Sequence, residues 1–218
     1  MKKQNIVNLI IVLVALSPLG YLFIVWNNIP ESFVTRFEFN TAFEKVQSRN
    51  TLLLTVGLVA LVSVLLYFLM RNLKKIDPKV KEGTETSSFN KLGLIITVYL
   101  VILNYFLILS AKNGWTIDTK VSMIFFGLLV MFMGNYMNNI KPNYFAGFRL
   151  PWTLNDPDNW RRTHQLAGKL WFAAGILLVI ISFLVSKAML IPISIGILVV
   201  IVVIPAVYSF KVYRNKLN

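Results

Sequence analysis

The sequence contains no cysteine and a single histidine in 218 residues, and only 14% of its residues are charged. The first absence excludes disulfides, thiol nucleophiles and thiolate-bound zinc; the second leaves little from which to build a metal centre. Acidic residues are also scarce, 9 Asp and Glu against 22 Lys and Arg, for a formal charge of +13. No Ser/His/Asp arrangement, Gly-rich phosphate loop or His-Glu zinc motif is present, so neither a catalytic centre nor a cofactor is expected. What the chain does have is apolar surface: 56% hydrophobic residues and a mean hydropathy of +0.67, the composition of a chain whose main solvent is lipid. In a soluble protein the basic excess would suggest nucleic acid. In a membrane protein it marks cytoplasmic loops beside anionic lipid, and no direct nucleic-acid contact is expected.

Apolar runs occur at Ile6 to Trp26, Thr51 to Met70, Leu92 to Ser110, Val121 to Tyr136, Leu170 to Val185 and Leu190 to Tyr208. A bilayer core takes roughly 20 helical residues. The fourth and fifth runs are short and reach that length only by including Asn135 and Tyr136 in one and Leu166 and Ala167 in the other. Lys2 and Lys3 before the first run have the look of a signal peptide, but hydrophobicity continues to Trp26 and no A-x-A site follows, so a retained helix with a kink at Pro18 is expected. With six helices, 16 Lys and Arg fall on one set of alternate loops and 6 on the other, which puts both termini inside. The expectation is an all-α polytopic membrane protein, N-in and C-in. Its parts are a two-helix unit with an external loop over 1–75, a flexible basic cytoplasmic linker over 76–91 containing Asp77-Pro78 and Gly83, and a four-helix domain over 92–218.

The external segment 27–50 carries Phe33, Phe37, Phe39 and Phe43 among charged residues. It reads either as an amphipathic surface helix or as a surface able to meet an extracellular peptide. Asn104 lies deep in the third span, where a polar group faces other helices, and packing is favoured over a transport path.

The most unusual stretch is Asn138 to Lys169. Pro142, Gly147 and Pro151 break helix, and Tyr144, Phe145, Phe148 and Trp152 suit the headgroup zone, as an interfacial loop or a binding site would. Arg149 among these rings is placed to stack, to grip a phosphate or carboxylate, or to anchor a lipid headgroup. Asn155 or Asp156 can then cap a helix with Pro157 in its first turn, and that helix runs on into the fifth span. Along it Trp160, His164, Gly168, Trp171 and Gly175 recur at steps of four or three, one face with two small residues for a neighbouring helix, while Arg161, Arg162 and Gln165 point away. A structural hydrogen bond is the favoured role for His164 over a proton shuttle, and cap and dipole contacts the favoured roles of Asp156 and Asp158.

The string Lys141-Pro-Asn-Tyr-Phe-Ala-Gly-Phe-Arg-Leu-Pro-Trp-Thr153, followed by Trp160, Thr163-His164 and Gly168-Lys169, resembles the SdpI family of bacterial membrane proteins. The residues carrying the resemblance are Asn143, Tyr144, Gly147, Arg149, Pro151, Trp152, Thr153, Trp160, His164 and Gly168. Ile29-Pro30 and Phe33 are similar to the pattern of a two-helix unit that often precedes this domain, with Ser32 and Val34 replacing its usual His and Asn. The resemblance implies a non-enzymatic immunity protein in the bacterial cell membrane, acting against a secreted antimicrobial peptide toxin. It also implies a signalling role in which a cytoplasmic winged-helix repressor is held at the membrane. The alternative is a transporter or lipid-modifying enzyme with an interfacial pocket around Arg149 and His164.

Overall fold

A computed structural model describes residues 3–36, 44–80, 87–115 and 118–216. In chain order the elements are α1 (Lys3–Ile24), a 3-10 turn (Trp26–Asn28), β1 (Ser32–Arg36), β2 (Glu44–Ser48), α2 (Arg49–Arg71), the short α3 (Leu73–Ile76), α4 (Ser87–Asn113), α5 (Thr119–Met137), the short α6 (Pro151–Asn155), α7 (Pro157–Leu184) and α8 (Lys187–Arg214). Among the described residues, six helices are long and apolar enough to cross a membrane: α1, α2, α4, α5, α7 and α8. The chain is a helical multi-pass membrane protein, as its apolar runs predict. The two short runs become helices of 19 and 28 residues, and α1 continues through Pro18.

The chain divides into two compact units, Met1–Leu69 with Gly93–Thr119, and Met70–Leu92 with Lys120–Asn218. In the first unit, Leu52, Val56, Ala60, Ser63 and Tyr67 on α2 are buried at steps of four or three, whereas Leu54, Leu58, Leu61 and Leu65 are more than half exposed and face lipid. Leu52 and Val56 pack with Leu22, Val25 and Ile29 from the end of α1 and with Ile108 and Ala111 from α4. Since lipid is as apolar as these side chains, packing and interhelical hydrogen bonds hold such helices together. Asn104 Nδ2 donates to the Val56 carbonyl at 3.3 Å, Tyr105 to Ser17 Oγ at 3.0 Å and Tyr67 to Asn8 Oδ1 at 3.0 Å. Asn104 is thus a packing residue.

The segment 27–50, expected to include a surface helix, differs from that expectation. β1 and β2 form an antiparallel ribbon with Phe33 opposite Gln47 and Val34 opposite Val46. The β-branched Val34 and Thr35 favour extended backbone, and Phe33 packs onto the core at the end of α1. Phe37, Phe39 and Phe43 lie outside the described residues, as does Gly83 of the expected linker.

In the second unit, α5 and α7 cross at glycines. A Cβ on Gly175 would lie 2.6 Å from the Gly127 carbonyl oxygen, and one on Gly168 would lie 2.9 Å from the Gly134 carbonyl oxygen. Glycines seven residues apart on each helix let the backbones approach to near contact. α7 and α8 are joined through Val185 and Ser186 alone and pack side by side, with Trp171 Nε1 donating to the Ile201 carbonyl at 3.2 Å.

Candidate functional site

The site is assembled where the loop from Asn138 to Leu150 folds back onto the start of α7 and the end of α8, all within the second unit. The start of α7 is local chemistry. Asp156 caps it, accepting from the amides of Asp158 at 3.0 Å and Asn159 at 3.3 Å, and Pro157 occupies the first turn, where no amide hydrogen is needed. The other Asp156 oxygen takes Lys216 Nζ at 2.6 Å, while Asp158 pairs with Arg161 at 3.0 Å and Arg162 at 2.9 Å. Both carboxylates therefore serve the cap and the charges around it. Lys216, and after it the two helix amides, hold the Asp156 carboxyl below its ordinary range; the same bond raises the Lys216 ammonium.

From this start the buried faces of α7 diverge. Asn159 donates to the Ser209 carbonyl of α8 at 2.9 Å and accepts from Thr163 at 3.0 Å. On the other side Trp160 donates to the Ile140 carbonyl at 2.8 Å and stacks on His164, ring centroids 4.0 Å apart. His164 has no exposed surface. Its Nδ1 lies 2.8 Å from the Trp160 carbonyl oxygen, which can only accept, so Nδ1 carries the proton; Nε2 is then the acceptor for the Phe148 amide at 3.0 Å. Both nitrogens are committed to backbone, and the imidazole presents no free position to a substrate.

The loop is organised around two buried polar side chains. Asn143 uses its whole amide: Nδ2 donates to the carbonyls of Lys141 and Ala146 at 2.8 and 3.0 Å, and Oδ1 accepts from the amides of Phe145 and Ala146 at 2.8 and 2.6 Å. Thr153 accepts from the Leu150 amide at 3.0 Å and donates to the Phe148 carbonyl at 2.6 Å, tying α6 back to the loop. Between them Gly147 has φ +103°, and a Cβ there would run into His164 Nε2. Only glycine combines that conformation with that approach. The indole of Trp152 donates to Ser209 Oγ at 2.9 Å and stacks on Tyr213 with centroids 5.9 Å apart, so α6 is fastened to α8. Arg149, exposed, donates to the Tyr144 carbonyl at 2.7 Å and leaves the rest of its guanidinium facing outward.

Residues 139–209 match the SdpI/YfhL protein family. The matched stretch comprises this loop, α6, α7 and most of α8. The chain is also 28% identical to the "Immunity protein SdpI" of Bacillus subtilis (strain 168), an alignment that covers 99% of this chain and 98% of that protein. No solved structure matches.

Within the matched stretch, the sequence motif splits by environment. Asn143, Thr153, Trp160, His164 and Gly168 are buried, Trp152 is half-buried, and Tyr144, Gly147, Arg149 and Pro151 reach the surface. Two contributors were not visible from the motif. Asp77, 3% exposed, accepts from the Tyr144 amide at 2.6 Å and from the Lys79 amide at 2.8 Å, while Lys79 Nζ donates to the Leu154 carbonyl at 2.7 Å. In the sequence Asp77-Pro78 reads only as part of a flexible linker. The second is Asn138, whose amide lies beside Gly168 and, with its nitrogen turned toward the carbonyls of His164 and Gln165, donates to them at 3.3 and 3.2 Å. The repeat of two glycines seven apart in α5 and again in α7 was the available signal for that crossing.

Proposed function

We propose that the chain is a non-enzymatic immunity protein of the bacterial cell membrane, protecting against a secreted, membrane-active peptide toxin. The observation that carries this is the end-to-end alignment with the immunity protein of Bacillus subtilis. The geometry agrees with it: the one histidine is fully occupied in holding a loop, as expected of a scaffold rather than a reaction centre. In this reading Asn143, Gly147, Thr153, Trp160, His164 and Gly168 set the shape of the loop, and Tyr144 and Arg149 are what it presents. The distribution of Lys and Arg supports an N-in, C-in arrangement with the basic helix ends against anionic lipid.

That arrangement puts the presenting loop in the cytoplasm, away from an arriving toxin. It favours a second role, in which toxin is met by the outer segments or within the bilayer and the loop recruits a cytoplasmic repressor. The exposed Tyr144, Phe145 and Arg149 supply an aromatic and cationic surface for such a partner.

The test is expression in a toxin-sensitive strain. Survival should rise with the wild-type chain, and absence of any rise overturns the immunity reading. Orientation is tested in the same cells, since a chain without cysteine takes single reporters cleanly. A membrane-impermeant maleimide should label Val46→Cys in β2 and leave Asn155→Cys in α6 unlabelled until the cells are opened; the reverse pattern inverts the topology.

A further inference from the structure

A cleft of about 530 Å³ opens beside the loop in the second unit, lined by Lys91, Lys141 and Arg161 and by the polar Tyr136, Asn138 and Gln165. Among the described residues no carboxylate lines it. Arg161 does have one, Asp158 at 3.0 Å, but Lys91 stands 5.7 Å above the Tyr136 ring and no described ion pair engages it or Lys141. Three cations facing one cleft repel each other, and an anion between them removes that repulsion.

The depth of the cleft selects the anion. Lys91 is in the first turns of α4, Tyr136 in the last turn of α5 and Arg161 in the first turns of α7, so the lining comes from the ends of three candidate spans. Helix ends of that kind lie at the level of lipid headgroups, where a tyrosine ring and lysine stems are also at home. Asn138 and Gln165 add neutral groups able to bond ester or glycerol oxygens. We propose that this cleft binds the phosphate of an anionic glycerophospholipid headgroup. The proposal deepens, and rests on, the anionic-lipid contact read from the basic helix ends, giving it a defined site instead of a diffuse surface.

The experiment measures binding to the purified full chain in neutral maltoside micelles by calorimetry. The probes are dihexanoyl phosphatidylglycerol, dihexanoyl phosphatidylcholine, inorganic phosphate and a short polyglutamate peptide. Phosphatidylglycerol should bind best, and Lys91→Gln with Lys141→Gln should weaken it roughly tenfold or more at low salt. Lys169→Gln with Lys211→Gln removes the same charge from exposed positions outside the cleft and should leave binding within about twofold. Equal weakening by the two pairs overturns the site while preserving a diffuse lipid contact. No preference for phosphatidylglycerol over phosphatidylcholine in the wild type overturns both. Tighter binding of inorganic phosphate, or displacement of the lipid by polyglutamate, overturns the headgroup as the occupant. Because toxin is absent from the measurement, its outcome is independent of the immunity reading.

Discussion

Replacing Gly147 with alanine tests the construction of the loop at its tightest point. At φ +103° an L-residue is strained, by about 1–3 kcal/mol. The new methyl group would also overlap His164 Nε2, so the ring must move and the Phe148 amide loses its acceptor, adding about 1–3 kcal/mol for a donor left unmatched. Together the substitution should destabilise the domain by about 2–6 kcal/mol. His164→Ala removes the Trp160 stack and both backbone bonds, about 3–5 kcal/mol. In the double variant the overlap is gone and the Phe148 bond is already lost, so alanine at 147 should add only its backbone strain. The two effects should therefore fall short of additivity by about 1–3 kcal/mol. Intrinsic tryptophan fluorescence during thermal or denaturant unfolding in micelles reads all four proteins. A Gly147→Ala protein as stable as wild type, or strictly additive losses, would refute the proposed contact between the loop and the imidazole.

Gly175→Ala forces a Cβ against Gly127 and Met131 and should cost about 1–3 kcal/mol, whereas Gly57→Ala, which meets nothing within 4 Å, should be neutral or slightly stabilising; comparison of apparent melting temperatures decides. Asp77→Ala strips the Tyr144 amide of its acceptor, so amide hydrogen exchange at Tyr144 should quicken by an order of magnitude or more, about 1.4 kcal/mol or above, while exchange in α8 stays unchanged. The Asp156 carboxyl is depressed mainly by Lys216, so its contribution is complete above the ordinary carboxylate range and disappears as pH falls through the lowered value. Asp156→Asn should flatten the acid limb of stability against pH; an unchanged limb would remove this pair from the account.

The number and rough positions of the spans, the face of α7 bearing Trp160, His164, Gly168 and Gly175, and the cap at Asp156 were legible in the sequence because each depends on neighbours within a turn or two. Helical period and helix-end chemistry are local, and lipid enforces them strictly, since an unpaired backbone group has no water to turn to. The ribbon of β1 and β2 was missed because four phenylalanines in a short charged segment fit either period, and pairing across the ribbon settled the matter.

The site shows the same division. That the stretch from Asn138 to Lys169 was unusual followed from composition alone. That Gly147 exists to admit His164, that His164 is a neutral brace protonated at Nδ1, and that Asp77 reaches Tyr144 across 67 residues of chain followed only from the fold. So did the gathering of Lys91, Lys141 and Arg161 around one cleft. A sequence records which groups must be buried or charged; which of them meet is decided only when three helix ends and a loop pack together, because burial leaves most polar atoms no partner but one another.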